Sequence, residues 1–218
     1  MKYRAVLFDL DGTLHDRATT IRGYLAGHVE RFGLPDGYAG RWSELDDLGY
    51  LSKTVLFPQI VAEFGLAHDP QALLQDFSDR AWTDCQLTPH TLDVLSGLRW
   101  RGLRLGVVTN GWSEKQRQCL AGLGLAEAFD TVIVSKEVGL SKPDPRIYAL
   151  ALERLGVSAS EVLFVGDSPV NDVQGPQSAG MRAALFPGGH PLPAHIRPDF
   201  VLDDLQGVLT IVSAPVPE

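Results

Sequence analysis

Two aspartates stand two residues apart near the start of the chain, Asp9 and Asp11, in the stretch Val6-Leu-Phe-Asp-Leu-Asp-Gly-Thr13. A carboxylate pair at this spacing can divide a group transfer between its members. One attacks as nucleophile; the other, in a different environment, gives and takes a proton. Three more polar clusters lie downstream, at the ends of short apolar runs or in the loops after them: Thr109-Asn110, Lys142, and Asp167 with Asp172. The Thr109 hydroxyl and the Lys142 ammonium are donors suited to phosphate oxygens, and the backbone N–H groups of Leu10 and Asn110 could add others. Taken alone, Asp9 and Asp11 also fit a plainer role as strand-end turn formers, because Asp and Gly punctuate strands.

If the four clusters meet, four carboxylates face one ammonium. Two like charges ~4 Å apart repel by on the order of 1–4 kcal/mol at the dielectrics of water and protein surface. A hard divalent cation removes that cost, and Mg²⁺ suits oxygen ligands and often joins a few carboxylates to a substrate phosphate. In that setting Asp9 is an in-line nucleophile on phosphorus, giving an aspartyl-phosphate. Asp11 protonates the departing alkoxide and then deprotonates water. Mg²⁺ and Lys142 stabilise charge on the transferred oxygens.

The clusters can meet only if a parallel sheet brings them to one edge. Ala5 to Phe8 is a short run, apolar on both faces and closed by a turn signal, which predicts a buried parallel strand. Leu103–Val108, Thr131–Val134, Val162–Val165, Ala183–Phe186 and Phe200–Leu202 are the further strand candidates. Helices between them are predicted from Thr88-Pro89 to about Arg101, from a capping box of Ser113 with Gln116, and from Pro145 through Leu155. Phe186 to Pro198, rich in Pro and Gly, reads as loop. Strands alternating with helices predict a parallel sheet with right-handed crossovers, whose carboxyl ends form a ligand crevice. Between Asp16 and Cys85 the character differs. Ile21, Leu25 and Val29 recur every fourth residue before Gly33. Leu56, Ile60 and Phe64 repeat the spacing, with Pro58 expected to start or kink that helix. Asp69-Pro70 reads as an N-cap and first helical residue. The expected architecture is an α/β, Rossmann-like parallel-sheet core, residues 1–14 and 89–218, with an inserted α-helical cap, residues 15–88, lying over the site as a lid. The tail after Ser213 is expected to fray.

The 218 residues, 44% hydrophobic and 21% charged, suit one large domain or a domain with an insert. A net charge of −8 argues against nucleic-acid polymers and anionic lipid as partners. Cys85 and Cys119 form neither a disulfide framework nor a zinc site. Lys2 and Arg4 precede only four apolar residues before Asp9, so no secretory leader is expected, and no run approaches membrane-spanning length. The expected setting is the cytoplasm.

The motifs, in their order, resemble those of the haloacid-dehalogenase superfamily of hydrolases, in the branch of phosphatases with a helical cap after the first strand: "DLDGT" at Asp9–Thr13, "VVTNG" at Val107–Gly111, "SKPDP" at Ser141–Pro145 and "GDSPVND" at Gly166–Asp172. The resemblance covers nearly the whole chain. It implies a Mg²⁺-dependent phosphomonoester hydrolase in which Asp9 is nucleophile and metal ligand. Asp11 is acid/base and binds metal through its backbone carbonyl; Thr109 and Asn110 bind phosphate. Lys142 binds phosphate and orients Asp9, Asp167 ligates the metal, and Asp172 supports it directly or from behind. Dehalogenating and phosphonate-cleaving branches lack the second aspartate, which is present here. A sugar-phosphate mutase, or a non-catalytic phosphate-binding module on the same fold, remains the alternative. "TNG" with "SKEVGLSKP" is similar to nucleotidases and sugar-acid phosphatases. The implied substrate is a small phosphorylated metabolite such as a nucleoside monophosphate, a sugar phosphate or phosphoglycolate.

Other residues attract plainer expectations. Lys53 is expected to be a solvated surface charge. Asp46, Asp47 and Tyr50 are either ordinary exposed residues or part of a cap face over the site. Trp112 contacts a leaving group or packs. His28 packs within a helix face, and His190 and His195 are exposed in their loop.

Overall fold

β1 (Ala5–Phe8) is buried along its whole length, as an apolar run between two faces of helices requires. The computed structural model describes residues 3–214. Its sheet has six parallel strands, ordered β3-β2-β1-β4-β5-β6: β1, β2 (Arg104–Thr109), β3 (Thr131–Val134), β4 (Val162–Gly166), β5 (Arg182–Leu185) and β6 (Phe200–Val201). In this order the chain works outward from β1 on one side, then crosses to begin the other half at β4. Ligands bind at such a reversal, outside the carboxyl ends of the strands. Phe8 is in register with Val107 of β2 and Val165 of β4, so Asp9, Thr109 and Asp167 all leave the sheet at one edge.

The chain divides into two compact units, residues 1–16 with 87–218, and residues 17–86. The helical unit holds α1 (Arg17–Phe32), α2 (Tyr38–Asp46), α3 (Lys53–Phe64) and α4 (Pro70–Arg80). Their apolar stripes meet in a core of Ile21, Leu25, Trp42, Leu56, Ile60, Leu73 and Phe77. Asp69 caps α4 as its sequence suggests, accepting from the Gln71 N–H with Pro70 at the first turn. Pro58 does not start α3. The helix begins five residues earlier, at Lys53, and runs through the proline. Buried Leu56, Phe57 and Ile60, on both sides of Pro58, offset the hydrogen bond its ring removes.

In the sheet unit, α5 (Thr91–Trp100) starts later than Thr88, whose carbonyl is occupied by the Thr91 N–H and hydroxyl. α6 (Ser113–Gly122) follows β2, but Ser113 with Gln116 forms no capping box; the Gln116 amide is drawn elsewhere. α7 (Ser135–Val138) is a single turn after β3. α8 (Pro145–Leu155) sets Ile147, Ala151 and Leu155 against Leu7, Val108 and Phe164. After β4 the chain winds through a wide helical turn, Pro169–Gln174, into α9 (Gly175–Ser178), a segment to which the sequence reading assigned no element. α10 (Gly207–Ser213) was not anticipated either. Of the tail after Ser213 that was expected to fray, Ala214 still donates its N–H to Thr210 O, and residues 215–218 lie outside the described residues. No helix among the described residues is long and apolar enough to cross a membrane.

Candidate active site

The turn after β1 folds around one carbonyl. Leu10 O accepts the N–H groups of Thr13, Leu14 and His15, and Gly12 N–H donates back to His15 O at 2.9 Å. This compact loop needs a left-handed residue, and Gly12 supplies it at φ 79°. A side chain at Gly12 would also collide with the Asp167 carboxylate, as would one at Gly188. Backbone thus closes on Asp167 from two directions.

Lys142 is the cation at the centre. Its Nζ donates to Asp9 Oδ1 and to Asp172 Oδ1, each at 2.7 Å, and the lysine is 5% exposed. Its main chain is clipped to the loop after β2. Asn110 Nδ2 donates to Lys142 O at 3.0 Å, and Lys142 N–H donates to Asn110 Oδ1 at 2.9 Å. Asp172 is wholly buried, and its other oxygen accepts from Ser168 N–H at 2.9 Å. Carboxylate oxygens of Asp9, Asp167 and Asp172 all lie within 4.8 Å of one another.

This crowding has an electrostatic signature. Burial pushes Asp9 up to about 7; the Lys142 ammonium opposes the shift and Asp172 adds to it. Burial, then the charges of Asp9 and Asp172, push Asp167 up to about 8. Burial alone would favour neutral Lys142, but Asp172 and Asp9 outweigh it and hold the ammonium above the ordinary lysine range. One cation among three buried carboxylates leaves the cluster short of positive charge. An oxygen-only donor set with that deficit fits a hard cation such as Mg²⁺. Asp9 and Asp167 have the freer oxygens for it, since both Asp172 oxygens are engaged by Lys142 and Ser168.

The structure therefore gathers Asp9, Lys142, Asp167 and Asp172 into one cluster, with Asn110 holding Lys142 in place. Asp11 turns another way. Its Oδ1 lies 2.6 Å from His15 Nδ1, and its Oδ2 accepts from Gln116 Nε2 at 2.8 Å. Thr109 is buried at the end of β2, its hydroxyl 3.5 Å from Asn110 O, too long for a firm bond.

His15 and Gln116 did not emerge from the sequence. The spacing of Gln116 from Ser113 was legible but suggested a cap. His190, expected in solvent, has only 14% of its side chain exposed and sits 3.7 Å from Asp167 Oδ2, while His195 is exposed. Trp112 is 66% exposed, with the Lys136 ammonium 5.3 Å from its ring centre, so it does not pack into a core. In the helical unit, Lys53 is not a solvated charge: it pairs with buried Asp46 at 2.5 Å, and Arg17 pairs with the same carboxylate at 2.7 Å. Asp47 and Tyr50 are exposed, and His28 is fully buried.

A doubly wound parallel sheet with paired aspartates after its first strand and a buried lysine among acids defines an α/β enzyme core. The chain belongs to the haloacid dehalogenase-like hydrolases, whose family profile matches residues 6–186. It is 31% identical to the N-acetylmuramic acid 6-phosphate phosphatase of Pseudomonas aeruginosa over 223 residues, covering 97% of this chain and 96% of that protein. It is 38% identical to the phosphoserine phosphatase of Thermus thermophilus over 154 residues, 70% of this chain but only 62% of that protein's length. Among solved structures, YfnB of Bacillus subtilis, bound to magnesium, superposes with a TM-score of 0.84 at 25% identity, covering 98% of this chain and 100% of that one.

Proposed function

We propose that this chain is a Mg²⁺-dependent phosphatase of small phosphorylated metabolites, working through an aspartyl-phosphate on Asp9. The observation that carries the reading is the Lys142 ammonium bridging Asp9 and Asp172 beside Asp167. A strand-end turn needs no buried lysine, and a structural ion pair needs no third carboxylate. The names of the relatives, phosphatases of sugar phosphates, phosphoserine and phosphoglycolate, agree with it.

In this reading Lys142 aims Asp9 and favours its ionised form against the effect of burial, and its positive charge favours an incoming phosphoryl group. An oxygen of Asp9 attacks phosphorus as the bond to the leaving oxygen breaks, and Asp11 gives that oxygen its proton. Asp11, now a carboxylate, takes a proton from water as the water attacks the aspartyl-phosphate, and Asp9 and inorganic phosphate are released. Asn110 positions Lys142, and Thr109 and the Asn110 N–H line the phosphate side. Asp9 and Asp167 would hold Mg²⁺, with the Asp11 carbonyl and Asp172 assisting. The ion, when bound, supplies positive charge that offsets the carboxylates and the phosphoryl oxygens.

The setting we propose is cytoplasmic, in keeping with Cys85 and Cys119 being buried thiols not joined in a disulfide. The test is release of phosphate from p-nitrophenyl phosphate by the purified protein with Mg²⁺, stopped by chelator, followed by a panel of nucleoside monophosphates, sugar phosphates, phosphoserine and phosphoglycolate. Silence across the whole panel would defeat the proposal.

A further inference from the structure

We propose that His15 and Gln116 are positioning residues that clamp the Asp11 carboxylate, one on each oxygen, and thereby set the direction of proton delivery to the leaving group. This rests on the reading of Asp11 as the acid/base.

The geometry is specific. His15 Nδ1 lies 2.6 Å from Asp11 Oδ1 and Gln116 Nε2 lies 2.8 Å from Asp11 Oδ2. The same Gln116 nitrogen also donates to Asn110 O at 3.2 Å, which ties it to the loop that holds Lys142. His15 is fully buried and Gln116 is 7% exposed, so neither ring nor amide swings freely. The main chain enforces the first contact, because the Leu10-centred turn folds His15 back beside Asp11. Space enforces the second: a Cβ on Gly111 would come within 2.5 Å of Gln116 Nε2, so the glycine leaves the amide its path to Asp11.

A carboxylate offers about four lone-pair positions, two on each oxygen. The two contacts occupy one position on each oxygen and fix the plane of the group. With its plane fixed, the group passes its proton to the leaving oxygen, and takes one back from water, along set directions. Without the clamp the carboxyl group rotates about its own bond, and the fraction of time in which its proton faces the substrate falls. Such misplacement matters most where the leaving oxygen needs a proton. An alkoxide does; p-nitrophenolate is stable enough to depart without one.

The experiment compares kcat/KM for glycerol 2-phosphate and p-nitrophenyl phosphate, with saturating Mg²⁺, in the full chain. Gln116→Leu keeps the size of the side chain and removes the donor. His15→Phe keeps a ring and removes the nitrogen, whereas His15→Asn puts an amide nitrogen near the position of Nδ1. Gln116→Leu and His15→Phe are expected to lose about tenfold or more on glycerol 2-phosphate, part of the 10²–10⁴ that general acid catalysis supplies. On p-nitrophenyl phosphate each should lose less than about threefold, and His15→Asn should recover most of the alkyl-ester rate. Should His15→Phe fail to fold, Gln116→Leu carries the comparison. Equal losses on both esters, or none on either, overturn the clamp while the phosphatase reading stands. If wild-type protein does not turn over glycerol 2-phosphate, the best alkyl phosphate of the metabolite panel takes its place; silence across the whole panel overturns the phosphatase reading, and the clamp with it.

Discussion

Asp9 and Lys142 carry the heaviest consequences of any single residues in the chain. Asp9→Asn keeps the shape of the side chain and removes one of three crowded charges, so the fold should survive. Turnover should fall by roughly 10⁴-fold or more, the scale seen when a nucleophile is deleted. Steady-state rates with p-nitrophenyl phosphate, alongside a circular-dichroism melt, check both halves, and near-normal turnover would remove Asp9 from its role. Lys142→Met has the opposite balance of effects. It fills the space but strands Asp9, Asp172 and Asp167 without their buried cation. Removing one partner of a buried ion pair costs about 3–5 kcal/mol, so urea unfolding in chelator should show a loss of that size. Added Mg²⁺ should restore part of it, because the ion meets the same need for positive charge.

At the scale of elements, Asp76 of α4 ties its helix to α1. Its carboxylate accepts from Arg31 at 2.7 Å, from Tyr24 at 3.0 Å, and lies 2.8 Å from His28 Nδ1. Burial would raise its pKa, but the Arg31, His28 and Tyr24 contacts together outweigh burial and hold it at about 2, below the ordinary 3.8. A depressed pKa contributes stability above about 4 that is lost as pH falls towards 2. Discounted for solvent screening, the effect is about 1 kcal/mol. Asp76→Asn should therefore flatten the acid side of the unfolding profile between pH 4 and 2 and lower the melting temperature at pH 7; an unchanged acid limb would show that the cluster holds nothing. The elements also mark what the sequence could disclose. β1 and β4 were readable because a strand covered on both faces is apolar throughout, and Asp69-Pro70 because a cap is a local device. Pro58 misled because packing on both sides of a proline outweighs its missing N–H, which no local pattern records. Gln116 misled because a glutamine four residues into a helix serves a cap or a distant carboxylate equally well. His15 carried no periodic signal: its place beside Asp11 comes from one carbonyl, Leu10 O, accepting three N–H groups. β6 was readable at Phe200–Leu202, but α10, seven residues long, is too short for its composition to announce it.

For the whole molecule, the acid cluster makes the metal and the pH act on one equilibrium. Asp9 and Asp167, raised to about 7 and about 8 without metal, keep protons that the unfolded chain has released by about pH 4–5. A raised folded-state pKa contributes stability that is complete below the unfolded value and is lost as pH rises through the folded one. In chelator, the protein should accordingly lose stability between pH 5 and 8, where the −8 net charge of the chain also grows less forgiving. Mg²⁺ binds carboxylates in their ionised form, so it must displace those protons at pH 5.5 and finds few to displace at pH 8.5. At 100 times its dissociation constant a ligand adds about 2.7 kcal/mol, which for a chain of this length moves the melting temperature by about 5–10 °C. That full shift is expected at pH 8.5, shrinking to about 2 °C or less at pH 5.5 with the same Mg²⁺ concentration. Asp167→Asn should abolish most of it at either pH, because one of the two freer oxygen donors is gone. Paired thermal melts at the two pH values, with Mg²⁺ and with chelator, make the measurement. A shift of equal size at both would mean that the ion does not bind where these carboxylates titrate, and that the charge deficit around Lys142 is met by something other than a metal.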